Sequence, residues 1–407
     1  VFRSCTALAN MELPKALVSL GDYAFYNCTS LLGKTYTVAT PTPSPSASPS
    51  ATDTPDTLSG QSLTLFATSA PQTYTQFEIP NGTSTLGTDV FNGCKAMVKA
   101  VIPESIKTVP ERTFNACTSL TEIDLPASLE YINERAFYGC TKLKEFQIAF
   151  KGKEIAKEAF YGCTSLERAT MFEGISKIGE YAFYGCTKLD SIIIPHSVDS
   201  IGEYAFANCK GMLSADIPGA VSYIGPSTFS DCTSLANLTL STDIGYIGEK
   251  AFYNCAALKK IEIPTKIPSI EPQTFYGCKL LANVSIPGNV TSIGSQAFYN
   301  CTSITDLTIL GGVKNIDDEA FFGCSGITSI TLENGLESIG KNVFQKATSK
   351  AAPFDLIIPS SVTSIDEYAF ANTAGIKSVD IQSAITEIKP NTFLSSTALA
   401  SVKFPDS

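Results

Sequence analysis

The chain has 407 residues, of which 44% are apolar, and it carries a net charge of −10. The acidic balance argues against a nucleic-acid partner, and the apolar fraction is sufficient to fill a core. No apolar run approaches the roughly 20 residues that a membrane-spanning helix needs, so we expect no membrane span in this segment.

A phenylalanine recurs every 23 residues through most of the chain, usually followed three residues later by a cysteine. The first two, Phe2 and Phe25, define N-terminal coils over residues 1–31. An exact period of this kind is typical of stacked units that bury their apolar faces against one another. Counting these phenylalanines predicts about 16 coils.

Residues 32–73 interrupt the period, because Phe91, the next member of the repeating column, follows Phe25 by 66 residues, about 43 more than one period. The middle of this insertion is rich in Pro, Ser and Thr and cannot support a core. Two alternating segments flank the middle, Lys34–Ala39 and Ser62–Ala67. They predict an inserted β-arm with a disordered tip; a mucin-like, O-glycosylated projection is the alternative.

Residues 74–407 form the predicted main solenoid. In one coil, Leu120, Ile123 and Leu125 have the spacing of a short strand that Pro126 ends. A second apolar pair predicts another short extended segment, and the A-F or T-F segment predicts a helical turn ended by a left-handed Gly or Asn. Neither end of the sequence offers the polar cap that solenoids need, so we expect both ends to be truncated relative to a longer protein.

The phenylalanine and cysteine columns are the predicted core. Where a coil lacks cysteine, the position holds Ala347, Thr373 or Ser396, so small size is kept and thiol chemistry is not. We therefore expect reduced, buried thiols rather than a disulfide framework or a zinc site. The core is represented by Phe137, Cys140, Phe160, Cys163, Phe206, Cys209, Phe252 and Cys255.

The segment Leu189–Cys209, LDSIIIPHSVDSIGEYAFANC, carries the repeated motif most completely. It resembles the BspA-like (treponemal-type) branch of the leucine-rich repeat superfamily. The resemblance implies an α+β repeat solenoid, a right-handed coil with a parallel concave sheet and short helical turns elsewhere. It also implies an adhesin-like protein, secreted or on the cell surface. The usual Asn after the strand is replaced, for example by Ser128 and Ser197, so we expect bonding between coils to come partly from the Cys/Ser/Thr column.

Two outward rows are candidate binding surfaces. The first lies between the last two apolar positions of each strand, where alternation turns side chains out of the core. Extended concave sheets are the binding surfaces of solenoids, although a merely soluble strand surface explains the same residues equally well. The row comprises Asp124, Gln147, Thr170, Ile193, Asp216, Thr239, Glu262, Ser285, Thr308, Thr331, Ile357 and Asp380.

The second row follows the core phenylalanine by one position and should lie on a flank of the solenoid. Tyrosine favours interfaces because its ring is rigid and its hydroxyl stays hydrated. Aromatic packing over the neighbouring coil is the alternative, and we favour it. The row comprises Tyr26, Tyr138, Tyr161, Tyr184, Tyr253, Tyr276, Tyr299 and Phe322.

Few groups could carry out chemistry. His196 follows a proline in a turn, and we interpret it as a solvated residue rather than a metal ligand or catalytic group. Asp317, Asp318 and Glu319 begin a predicted helical turn, where negative charge is favourable; calcium binding is the alternative, although the ligand spacing is absent. We predict no enzymatic activity, no cofactor and no metal.

The sequence therefore predicts a non-enzymatic binding module that recognises a protein or glycan ligand through the concave sheet. The alternative is a structural stalk or spacer that displays another domain of a longer surface protein.

Overall fold

The computed structural model describes residues 2–38, 72–148, 152–171 and 173–405. Within these ranges the chain forms short strands joined by turns and contains no helix. In chain order the strands are β1 Ser19–Leu20, β2 Lys34–Val38, β3 Gln72–Glu78, β4 Thr85–Leu86, β5 Lys99–Val101, β6 Thr108–Val109, β7 Glu122–Asp124, β8 Tyr131–Ile132, β9 Glu145–Ile148, β10 Glu154–Ile155, β11 Arg168–Met171, β12 Lys177–Ile178, β13 Ser191–Ile193, β14 Ser200–Ile201, β15 Ser214–Asp216, β16 Tyr223–Ile224, β17 Asn237–Thr239, β18 Tyr246–Ile247, β19 Lys260–Glu262, β20 Ser269–Ile270, β21 Asn283–Ser285, β22 Ser292–Ile293, β23 Asp306–Ile309, β24 Asn315–Ile316, β25 Ser329–Leu332, β26 Ser338–Ile339, β27 Phe354–Ile358, β28 Ser364–Ile365, β29 Ile376–Ile381 and β30 Ser401–Lys403.

The strands build two walls of a solenoid. The longer strands form the first sheet, in segments ordered β2-β3-β5-β7, β9-β11-β13-β15-β17, β19-β21, β23-β25 and β27-β29-β30. The two-residue strands form the second sheet, in segments β1-β4, β6-β8-β10-β12-β14-β16-β18 and β20-β22-β24-β26-β28. All strand pairs are parallel except β2 with β3. Paired residues on β11, β13 and β15 are 23 positions apart: Thr170 pairs with Ile193, and Ile193 pairs with Asp216.

The structure has about 14 turns, fewer than the 16 predicted from counting phenylalanines. Phenylalanine rings stack continuously from Phe2 to Phe393. The turns of these two terminal residues, however, contribute no strand to the second sheet in the described chain. Counting the aromatic column therefore overestimates the number of complete turns by two.

The predicted core is confirmed. Phe137, Phe160, Phe206 and Phe252 are fully buried, as are the cysteines that follow them, and successive rings stack at distances such as 5.4 Å between Phe137 and Phe160. All thirteen cysteines are free, and twelve are buried. The prediction is wrong for Cys5, which is exposed because no earlier turn covers it within the described residues.

The predicted helical turn, and with it the α+β class, is wrong. The segment around Phe183 is a series of turns in which Ala182, Tyr184 and Cys186 each donate to the carbonyl three residues earlier. Tyr181 and Gly185 both have left-handed backbones, with φ of 54° and 71°. Two left-handed residues within five positions prevent a helix. The predicted left-handed Gly or Asn after the phenylalanine is confirmed, but it closes a turn and not a helix.

These turns form a third wall that is hydrogen-bonded like a sheet. The N–H groups of Tyr181, Phe183 and Gly185 donate to carbonyls of the next turn at 2.9, 2.8 and 2.8 Å. The same pattern recurs along the chain, so neighbouring turns are joined by backbone hydrogen bonds on three sides wherever both sheets are continuous.

Two side-chain columns add to this bonding. The Sγ of Cys186 donates to the carbonyl of Phe160 at 3.3 Å, and the same bond occurs in successive turns. The hydroxyls of Ser128 and Ser197, which replace the usual Asn, donate to the backbone carbonyls of Glu104 and Ile175 in the preceding turn, at 2.6 and 2.7 Å. The predicted role of the Cys/Ser/Thr column is confirmed, and the serines after the strand form a second such column.

The insertion begins as an antiparallel pair. Within the described residues β2 pairs with β3, in which Tyr36 lies opposite Tyr74. We predicted Ser62–Ala67 as the partner segment. Residues 39–71, which include that segment and the predicted tip, lie outside the described residues. β3 then continues into the solenoid and pairs in parallel with β5. Gly33, with φ of 94°, permits this junction, because a Cβ there would lie 2.3 Å from the carbonyl oxygen of Gln76.

Candidate binding surface

The first predicted row lies on the outward side of the first sheet, which we call the first-sheet face. Parallel pairing places its members side by side: Thr170 beside Ile193, Asp216 beside Thr239, Glu262 beside Ser285 and Thr308 beside Thr331. Asp124 and Gln147 are also exposed, whereas Thr170 and Asp380 are half-buried. The row includes two strongly exposed apolar side chains, Ile193 (72%) and Ile357 (50%).

The same face carries a second row that sequence reasoning did not select. It lies two residues earlier on each strand and includes Glu122, Glu145, Arg168, Lys260 and Asp306. The alternation of strand residues was the available signal, because positions two apart project from the same side. Both rows together define the chemistry of the first-sheet face.

Ion pairs balance part of the charge on this face. The Nζ of Lys99 lies 2.7 Å from Glu122 and 2.9 Å from Asp124, and Arg168 pairs with Glu145 at 3.1 Å. Two cations thus pair with three carboxylates, so the charge at the beginning of the face is balanced only in part.

Farther along the face, Lys260 lies 2.5 Å from Glu262 and lowers the pKa of that carboxyl by hydrogen bonding and charge. Asp306 accepts hydrogen bonds from Ser329 and Thr305, which lower its pKa. Both carboxyls are therefore held in the ionised form, which suits them to accept hydrogen bonds from a ligand.

Two grooves lie on the first-sheet face where the sheet is interrupted. One, of 510 Å³, is lined by Lys260, Glu262, Ser285 and Asp306, among others. The other, of 320 Å³, is lined by Asn237, Thr239, Lys260 and Glu262, among others. Three members of the predicted row thus contribute to grooves on either side of β19.

The flank row is a ladder of stacked rings. Tyr138, Tyr161 and Tyr184 stack with ring centroids 4.6 and 4.7 Å apart. A second stack contains Tyr253, Tyr276, Tyr299 and Phe322, with every step 4.7 Å. This is the packing over the neighbouring coil that we favoured as the alternative. A role of the flank in binding stays a prediction.

The remaining candidates have local roles. His196 is exposed, and its backbone N–H donates to Glu173 at 3.0 Å. Asp318 accepts the backbone N–H of Lys341 at 2.8 Å, and Glu319 accepts from Gln296 at 2.6 Å. Among the described residues there is no cluster of three or more metal-ligating side chains.

The described chain contains no helix with the length and hydropathy to cross a membrane.

The three bonded walls and the 23-residue register define a parallel β-solenoid of the leucine-rich repeat type. The family described as "BspA type Leucine rich repeat region (6 copies)" matches residues 1–38, 66–171, 153–281, 245–355 and 353–407. The chain belongs to this family. A search of curated proteins finds no match.

Solved structures of leucine-rich repeat proteins are similar to this chain. One from Bacteroides ovatus ATCC 8483 is 22% identical, with 97% of this chain and 86% of that chain covered and a TM-score of 0.68. A leucine rich cell surface protein from Faecalibacterium prausnitzii A2-165 is 24% identical, with 82% and 88% covered and a TM-score of 0.47. The T. pallidum leucine rich repeat protein is 30% identical, with 42% and 81% covered and a TM-score of 0.39. The first of these supports the assigned fold.

Proposed function

We propose that the chain is a non-enzymatic binding module whose first-sheet face recognises a protein or glycan ligand. The observation that carries this proposal is the pair of grooves on either side of β19, with Glu262 contributing to both. They combine ionised carboxyls, a lysine and hydroxyl groups with exposed apolar side chains elsewhere along the same face. Mixed surfaces of this kind suit the recognition of polar macromolecules.

Membership of the BspA type family supports an adhesin-like role and a location on the cell surface or outside the cell. The ligand of such a protein would lie along the solenoid axis and contact several strands at once. Successive members of the row lie on neighbouring strands, which are spaced by about 4.8 Å, so a ligand spanning Asp216 to Ser285 would bridge four strands.

A charge-reversal variant tests the proposal. Asp216→Lys with Glu262→Lys changes two exposed members of the row. The matched control, Asp199→Lys with Glu203→Lys, makes the same charge change at exposed residues outside the first sheet. Binding to a panel of extracellular-matrix proteins and to a glycan array should fall at least tenfold for the first variant only. Unchanged binding by both variants would remove the first-sheet face from consideration.

A stalk is the second candidate function, and the continuous phenylalanine stack favours it. Rings from Phe2 to Phe393 are stacked without a gap, which would stiffen the solenoid as a spacer. A stalk needs no ligand of its own. No binding in either assay, together with a separate recognisable domain in the complete open reading frame, would favour this function over the first.

A further inference from the structure

Both sheets are interrupted at one and the same boundary, between the turn of Phe252 and the turn of Phe275. In the first sheet β17 and β19 belong to different segments, and in the second sheet so do β18 and β20. At the other interruptions in the described chain, one sheet stops while the other continues. This boundary is therefore held differently from the rest of the solenoid.

Pro268 lies where the second sheet is interrupted, and it lacks a hydrogen bond that the preceding turns make. In the preceding turns the equivalent residue donates its N–H one turn back: Ser222 to Asp199 at 3.0 Å and Gly245 to Ser222 at 2.9 Å. Proline has no N–H and cannot make this bond to Gly245. This series of backbone hydrogen bonds resumes one turn later, where the N–H of Thr291 donates to the carbonyl of Pro268 at 2.8 Å.

The third wall is unbroken at the same boundary. The N–H of Phe252 donates to the carbonyl of Thr274 at 2.9 Å, and the Sγ of Cys278 donates to the carbonyl of Phe252 at 3.3 Å. The rings of Phe252 and Phe275 remain stacked at 5.6 Å. The two parts of the solenoid are thus joined along one side by backbone bonds and core packing.

On the sides where the first and second sheets are interrupted, the contacts across the boundary are weaker than those of the third wall. Asp243 and Lys266 form an ion pair across the boundary, but both side chains are more than half exposed. Exposed ion pairs contribute little because water screens them. The 320 Å³ groove lies at the same boundary, with Asn237 and Thr239 on one side and Lys260 on the other.

We propose that this boundary is a hinge. The third wall is its axis, and the first and second sheets separate when the hinge opens. The Asp243–Lys266 pair is a weak latch that breaks on opening. The proposal does not depend on the proposed function, although opening would widen the groove between Thr239 and Glu262 on the first-sheet face.

Hydrogen exchange measured by mass spectrometry on the whole chain, without ligand, tests the hinge. Segment 259–263 is equivalent to segment 213–217, two turns earlier. We expect the amides of segment 259–263 and of Ser269–Glu271 to exchange at least tenfold faster than their counterparts two turns earlier. Equal exchange in the two regions overturns the hinge.

Variants at the proline position test its cause. Pro268→Ser places there the residue found at Ser222, and it should slow exchange on both sides of the boundary toward the rate of the earlier turns. The matched variant Ser222→Pro should produce fast exchange at its own boundary. Fast exchange that survives Pro268→Ser overturns the assignment of Pro268 as the cause.

Discussion

The Sγ of Cys209 donates a hydrogen bond to the carbonyl oxygen of Phe183, one turn earlier, at 3.2 Å. The thiol is fully buried, and the Phe183 carbonyl also accepts the N–H of Cys186. The cysteine column therefore serves as a column of small buried donors. Ser396 makes the equivalent bond to Phe370 at 2.8 Å, which shows that a hydroxyl can replace the thiol.

We predict that Cys209→Ser is mild and Phe206→Ala is severe. Serine keeps the size and the donor, so it should cost less than about 1.5 kcal/mol, the typical value of one hydrogen bond. Removing the fully buried ring of Phe206 leaves a cavity and should cost about 3–5 kcal/mol. Urea unfolding of the two variants measures both costs, and the reverse order would contradict the assignment of the core.

Thiol labelling should distinguish Cys5 from the other cysteines. Cys5 is exposed, whereas the twelve others are buried, and burial raises the pKa of Cys117 to about 12. We expect Ellman's reagent at pH 8 to react with one thiol per native chain and with all thirteen after denaturation. Cys5→Ser should abolish the native reaction. Rapid labelling of several thiols in the native Cys5→Ser variant would contradict the buried column.

The stability of the fold should fall at alkaline pH. Burial raises the pKa of Cys163, Cys278 and Cys324 to about 12 from 9.0. Between these values the folded state keeps protons that the unfolded state loses, so stability is fully present below about pH 9 and is lost as the pH rises toward 12. Each such thiol contributes a slope of up to about 1.4 kcal/mol per pH unit.

A single substitution isolates the contribution of one thiol. Cys163→Ser removes one titrating group and keeps a small donor, so the slope of unfolding free energy between pH 9 and 11 should become shallower than in the parent. Half-buried tyrosines such as Tyr161 and Tyr276, whose pKa is also raised by desolvation, act in the same direction and are unchanged in this comparison. An identical slope in both proteins would show that the thiol does not titrate on unfolding.

The sequence was sufficient to predict the register, the buried columns and the outward row, because each depends on residue type repeated at a fixed spacing. The third wall could not be predicted in the same way. Tyr181, Arg135 and Glu158 occupy equivalent positions and all have φ between 53° and 55°, a conformation that such side chains rarely adopt. Backbone bonds to the neighbouring turns hold them there, and those bonds appear only when the turns are stacked.

The arm and the grooves were less predictable for related reasons. β3 pairs with β2 in the arm, where Gln72 lies opposite Val38, and the same strand pairs with β5 in the solenoid. The alternation of apolar residues at Ser62–Ala67 could not reveal that β3 pairs with both β2 and β5. The 320 Å³ groove lies between the unpaired strands β17 and β19, and the 510 Å³ groove extends from β19 over its paired neighbour β21 to Asp306 on the unpaired strand β23. In the sequence, Lys260 and Glu262 look like any other solvated strand residues.

The ion pair between Arg112 and Asp89 should be the most costly to break. Asp89 is only 2% exposed, and the guanidinium of Arg112 binds its carboxylate through Nε and Nη2, the latter at 2.9 Å. Arg112→Ala leaves a buried carboxylate without its cation, which should cost about 3 kcal/mol in urea unfolding. As a matched control, Lys157→Ala removes an exposed pair with Glu180 and should cost far less, because water screens that pair.

A second substitution at the same site identifies the cause of that loss. Asp89→Asn removes the charge and keeps a side chain that tolerates the left-handed backbone, where φ is 55°. Adding it to Arg112→Ala should recover part of the lost stability, because the double variant no longer buries an unpaired charge. If Arg112→Ala cost no more than Lys157→Ala, the buried ion pair would not stabilise the contact between these two turns. If the double variant were less stable than Arg112→Ala, packing of the arginine and not its charge would hold the two turns together.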